Sequence, residues 1–122
     1  MTVVWLLLAL QIKHFIFDFY WQPAYMWKNK EKFGHPGGIA HSGIHSLATF
    51  AILCFFTMPT LALAVAVLEF VIHYFTDWAK MNINRAKGWA CNTHDEFWQL
   101  TGLDQLFHQL TYVAIIAIIA AQ

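Results

Sequence analysis

Four pairs of ionisable residues, each spaced i, i+4, fall in four apolar segments of a 122-residue chain. They are His14/Asp18, His41/His45, His73/Asp77 and Asp104/His108. Residues four apart share one face of a helix, so each segment can aim both members of its pair at a common centre. Imidazole suits zinc, copper, iron and nickel, and carboxylate adds affinity for harder ions. Five histidines and three aspartates exceed what one tetrahedral ion needs. The set therefore points to two divalent ions, zinc as first choice and iron as second, held as helical bundles hold dinuclear sites. A single pair at this spacing is a weak signal; four at one depth are a strong one.

The common depth comes from counting inward from one face, formed by the two termini and the uncharged connection Met58-Pro59-Thr60. His14, His45 and His73 stand 13 residues from Met1, Met58 and Thr60, and His108 stands 14 from Gln122. At about 1.5 Å per residue that is a layer roughly 20 Å in. Asp18, His41, Asp77 and Asp104 lie one helical turn further, in a layer nearer the opposite face. Charge inside a membrane is costly, which makes such residues functional candidates by default.

The elements that position these residues are apolar. Of all residues 59% are hydrophobic and 11% charged, which implies one domain in a bilayer. The expected fold is an all-α integral-membrane protein: one domain, 1–122, forming an antiparallel four-transmembrane-helix bundle with a short interfacial helix before the last span. The spans are about 3–20, 41–56, 61–79 and 104–121, each near the ~20 residues a crossing takes, the second being short. Pro59 is placed to start the third helix. In the last connection Thr93 and Glu96 fit a capping box for a short helix near His94–Leu100, broken by Gly102. Both long connections could cover the site as a lid. The N-terminus lacks a basic region and a cleavage site, and is expected to remain as a helix.

Lys28, Lys30, Lys32, Lys80, Arg85 and Lys87 all fall in or beside the two long connections, and the opposite face carries no lysine or arginine. The positive-inside rule then places the protein in the inner membrane with both termini outside and the site toward the cytoplasm. Trp21, Trp27, Trp78, Trp89 and Trp98 cluster on that side as an interfacial belt. Net formal charge is zero, so nothing suggests a nucleic-acid partner. Cys54 and Cys91 are expected to be free thiols. Glu69, four residues before His73, could accept its ring N–H and fix the tautomer, with Gln11, Gln105 and Tyr112 acting similarly. Ser42 and Ser46 are expected to bond back to their own helix. Singly, each site residue has a plainer role: a core histidine, a buried charge partner for Lys80, or an N-cap in the case of Asp104. Together they could also form a metal-free network stitching four helices.

The segments HFIFDFYWQ, IAHSGIHS, HYFTDWAK and LDQLFHQL resemble a bacterial and phage membrane family, domain-of-unknown-function family 3307. The resemblance covers essentially the whole chain; it implies the fold and the site, and no reaction. A vaguer similarity, by ligand type, links the pattern to small membrane-bound metal-dependent hydrolases and HD-domain phosphohydrolases. Three functions fit. The first is a metal-dependent hydrolase at the cytoplasmic interface, acting on a phosphate-bearing or lipid substrate, with Asp18, Asp77 and Asp104 as bridging ligands or base. The second is a di-iron oxygenase, hydroxylase or desaturase acting on an acyl chain. The third is a non-enzymatic metal-binding or transport module, with a homo-oligomer left open.

Overall fold

The computed structural model describes residues 2–122, and among them there is no strand. Helix α1 (Thr2–Phe15) runs into a π-helical turn, Ile16–Tyr20. One helical turn, α2 (Ala24–Trp27), is followed by α3 (Pro36–Leu53), α4 (Pro59–Lys87) and α5 (Asp95–Ala120). Thr2–Tyr20, Pro59–Lys87 and Asp95–Ala120 are long and apolar enough to cross a membrane. α3, at 18 residues, is nearly as long as the first of these, but His41, Ser42, His45, Ser46 and Thr49 dilute its hydropathy.

α3 packs against α1 and α4, and α5 packs against α4 and α1, so the four long helices close a ring. At one end Thr2, Leu6, Phe56 and Ala120 line a shared groove, which brings both termini and the α3–α4 turn together. At the other end the first long connection meets the end of α4. There Arg85 lies 3.3 Å from Glu31, and Asn82 donates to the Glu31 carbonyl at 2.9 Å.

The ring's interior has two storeys. Leu6, Leu10, Leu53, Ala62, Val65, Tyr112 and Ile115 form an apolar core at the termini end. Beyond it the buried side chains are polar, and across the described residues thirteen polar or charged side chains are buried against nine apolar ones. Large apolar residues such as Trp5, Leu8, Leu68 and Val113 face outward instead. An outside greasier than the inside is stable only where the surroundings are themselves apolar.

Local sequence explains the helix starts. Pro36 and Pro59 occupy first-turn positions, where the missing N–H costs nothing. His35 caps α3 by accepting the Gly37 N–H at 3.0 Å. Gly37 also lets α2 approach: a Cβ there would sit 2.5 Å from the Tyr25 carbonyl oxygen. α4 ends on Gly88 at φ +67°, with the Trp89 N–H returning to the Asn84 carbonyl at 3.0 Å.

Several expectations need correction. The second helix starts five residues earlier than predicted and ends at Leu53, and the third continues two turns past Ala79 to Lys87. No separate interfacial helix precedes the last one: α5 is continuous through Gly102. A glycine inside a helix costs about 1 kcal/mol. Breaking the helix in apolar surroundings would strand backbone groups at several kcal/mol each, so continuity wins. The capping box is not formed either. His94 is the N-cap, and the Thr93 hydroxyl lies 2.8 Å from its own neighbour's ring, at His94 Nδ1. Ser46 does not bond back to α3 but donates across to the Ala66 carbonyl of α4 at 2.6 Å.

Candidate metal centre

The two layers assemble in the polar storey. Rings from all four long helices meet in the deep one. Centroids are 5.8 Å apart for His14–His45, 4.0 Å for His45–His73, 4.2 Å for His73–His108 and 5.2 Å for His14–His108. One turn nearer the long connections, Asp18 Oδ1 lies 2.9 Å from His41 Nε2, which is 3.3 Å from Asp77 Oδ2. Asp18 sits on the π-helical turn. That wider turn changes the direction in which residues after Phe15 leave the helix, and π-turns are frequent at functional sites.

Six side chains point their ligand atoms inward. Asp18 Oδ1 is 3.3 Å from His45 Nε2 and 3.8 Å from His73 Nε2. Asp77 Oδ2 is 3.3 Å from His73 Nε2, and Asp77 Oδ1 is 3.8 Å from His108 Nε2. Two overlapping groups of potential metal ligands result: Asp18, His41, His45 and His73, and His73, Asp77 and His108. Asp18 Oδ1, His45 Nε2, Asp77 Oδ2 and His108 Nε2 are buried and make no contact of hydrogen-bond geometry, although His41 Nε2 stands 2.9 Å from Asp18 Oδ1 and Lys30 Nζ 2.8 Å from Asp77 Oδ2. Buried polar atoms ordinarily find partners, so four unpaired ones in one cluster call for an explanation.

For His108 the tautomer is prepared by a neighbour. His108 Nδ1 lies 2.8 Å from the Asp104 carbonyl oxygen, which can only accept. The proton therefore sits on Nδ1 and the Nε2 lone pair faces the site, the outer-shell arrangement typical of ligating histidines. His14 is different. Its Nε2 lies 2.7 Å from Gln105 Oε1 and its Nδ1 3.1 Å from the Tyr112 hydroxyl. With both nitrogens engaged, His14 braces the layer from outside the two ligand groups. Gln105 and Tyr112 thus support a histidine as expected, while Gln11 instead bonds Gln109.

Asp104 also stands outside the groups. Its Oδ2 accepts from Gln105 at 3.1 Å and its Oδ1 is buried and unpaired. With Asp18, Asp77, Lys30 and Lys80 it lines a cavity of about 270 Å³ at the end of the bundle where the long connections lie. His35 and His94 cap helices away from the cluster.

Two lysines were not placed correctly by sequence reasoning. Lys30, expected among the interfacial charges, turns inward and is 8% exposed; its Nζ lies 2.8 Å from Asp77 Oδ2 and 3.8 Å from Asp18 Oδ1. Lys13, which no expectation covered, is 4% exposed and pairs with Glu69 at the edge of the histidine layer. Glu69 therefore does not serve His73. A buried ammonium needs a carboxylate more than a neutral imidazole N–H does. The signal was available: Lys13 is the neighbour of His14, deep in an apolar segment where a charge is exceptional.

Residues 6–122 match the family model described as "Protein of unknown function (DUF3307)". The chain belongs to that family. All four His/Asp segments of this DUF3307 member lie within the matched region, so the resemblance read from those segments holds over the whole site. No curated protein and no solved structure matches the chain.

Proposed function

We propose that this protein is a four-span integral membrane protein of the inner membrane whose His/Asp centre binds two divalent ions and hydrolyses a phosphate-bearing or lipid substrate at the cytoplasmic interface. The observation that carries this is the convergence, from three helices and the π-turn, of six potential ligand side chains, four of whose buried ligand atoms make no contact of hydrogen-bond geometry. His73 belongs to both groups, but one ring nitrogen offers one lone pair and serves one ion. The natural division is Asp18, His41 and His45 for one ion and His73, Asp77 and His108 for the other. Three protein ligands each leave an open position, the arrangement of catalytic and not structural zinc. Ions at such centres make bound water a nucleophile at neutral pH.

The rest of the chemistry falls to the protein. Asp104, which lines the cavity, accepts the proton as water adds to phosphorus. The ester P–O bond breaks, its electron pair leaves with the alcohol oxygen, and that oxygen takes up the proton. Lys80, on the cavity wall, faces the anionic group. Asp104→Asn should lower turnover by about 10²–10⁴-fold, the usual worth of a general base. Because Asp104 lies outside both ligand groups, the variant should keep its metal. Full zinc-dependent hydrolysis by Asp104→Asn would end this assignment.

Four crossings are supported by the ring of four long helices, in which α3 is bracketed by the apolar α1 and α4. Orientation is supported by the lysines and arginine at the long-connection end. Cys54 and Cys91 are free and exposed at opposite ends of the bundle, so they report it directly. In intact cells an impermeant maleimide should label Cys54 and leave Cys91 untouched until the membrane is opened. Labelling of Cys91 from outside would invert the topology.

A second reading, an iron-loaded oxygenase acting on an acyl chain, is favoured by an apolar groove between α4 and α5 that reaches Asp104. Metal analysis of protein purified without added ions separates the two. Zinc supports hydrolysis, and iron with oxygen consumption supports oxidation.

A further inference from the structure

The groove between α4 and α5 has a volume of about 300 Å³ and lies on the outer face of the bundle, at the level of the shallow layer. Phe75, Ile83, Leu103 and Phe107 form its walls, each between 40% and 51% exposed. Ala79 provides the room: a larger residue on that turn of α4 would fill the space. Two residues, Lys80 and Asp104, line both this groove and the polar cavity that contains Asp18 and Asp77. The apolar groove outside and the aspartate-lined cavity inside therefore have a lysine and an aspartate as their common wall. Lys80 makes no ion pair among the described residues, and its Nζ lies 6.0 Å from the Phe97 ring.

We infer that this groove seats an acyl chain of an anionic, phosphate-headed amphiphile, entering sideways from the bilayer, with Lys80 at the seam turning the headgroup into the cavity. Three features of the site agree on that occupant. Apart from Thr76, Lys80 and Asp104 the groove wall is apolar, which suits an acyl chain better than a peptide or a soluble metabolite, and it faces the direction in which lipid lies. It shares Lys80 and Asp104 with the cavity that contains Asp18 and Asp77, so an occupant reaching both would be apolar at one end and polar at the other. The free ammonium at the junction selects a negative headgroup, since pairing a cation in apolar surroundings removes a large desolvation cost. The inference deepens the hydrolase reading by naming the substrate class, and rests on that reading for what becomes of the headgroup. Occupancy of the groove does not depend on turnover.

The test uses the full-length protein in phosphatidylcholine vesicles carrying a phosphatidic acid with a diazirine midway along one chain. After illumination, crosslinks should concentrate on 75–83 and 100–107. Ala79→Trp, which fills the groove, should cut them at least about ten-fold, and Leu103→Trp at the rim should do the same should Ala79→Trp not fold. Val113→Trp, also lipid-facing but away from the groove, should leave them unchanged. Lys80→Gln should abolish the preference for the phosphatidic acid probe over an uncharged diacylglycerol carrying the same diazirine. Crosslinks spread evenly over the apolar exterior, or insensitive to both groove-filling variants, would overturn the inference. So would a headgroup preference that survives Lys80→Gln. Metal content and hydrolysis are measured separately, so failure of the hydrolase reading leaves crosslinking intact, and failure of the groove leaves metal binding intact.

Discussion

His45→Ala should lower the bound metal from two equivalents per chain to one, His108→Ala should do the same, and the double variant should bind none. His45 belongs to one ligand group and His108 to the other. Loss of an outer-shell partner already weakens metal binding by about 10–100-fold, and loss of a direct ligand costs more. In a three-ligand site the two remaining groups are too few to hold the ion at ordinary concentrations. The other group keeps its three ligands and its ion. Two-metal centres hold their ions about 3.5–4 Å apart, so some weakening of the survivor is expected as well. Metal content after dialysis, measured beside helicity in the same detergent, decides the matter. If either single variant loses all its metal, one ion is shared by the whole cluster and the division into two groups of three is wrong. If wild-type protein binds none at all, the histidines and aspartates form a network closed by Lys30.

Glu69→Ala should be the most destabilising single substitution outside the ligand groups, by about 3–5 kcal/mol. Lys13 and Glu69 are 4% and 1% exposed, and the ammonium has few other partners. Its Nζ lies 3.3 Å from the His45 carbonyl and 4.8 Å from the centre of the Tyr112 ring. Removing the carboxylate leaves a buried cation with one carbonyl, a ring face and the His45 Nδ1 at 3.4 Å. Removing both charges is a different matter: Lys13→Met with Glu69→Leu should recover most of the loss, since buried ion pairs are often replaceable by apolar residues of similar volume. Thermal unfolding of the three proteins in one detergent gives the comparison. A double variant as unstable as Glu69→Ala would show that the pair does more than neutralise itself. Near-normal stability of Glu69→Ala would show that the ammonium has another outlet.

Much of this protein is legible one helix at a time. The i, i+4 pairs are local facts, because helical periodicity alone puts His14 with Asp18, and His73 with Asp77, on one face. Counting from the short turn and the termini is also local, since rise per residue converts sequence position to depth. For that reason the four-histidine layer and the aspartates beyond it could be found before any packing was known. Pro59 and the free cysteines were legible on the same terms.

What required the tertiary structure is everything that depends on how the helices are rotated against each other and where the connections return. Periodicity says that His14 faces inward, but not that Gln105 and Tyr112 occupy both its nitrogens and leave it outside the ligand groups. Composition marks Lys30 as an interfacial charge; only the path of the connection after α2 brings it down onto Asp77. Glu69 was one turn from His73, yet it pairs with Lys13 on a helix fifty-six residues away in sequence. Gly102 is a breaker by propensity and an ordinary helical residue here, because in apolar surroundings the backbone bonds it would break cost more than glycine's entropy. Local pattern is decided by bond geometry within a few residues. The choice of partner among many buried polar groups is decided by which unpaired charge would cost most, and that sum runs over the whole bundle.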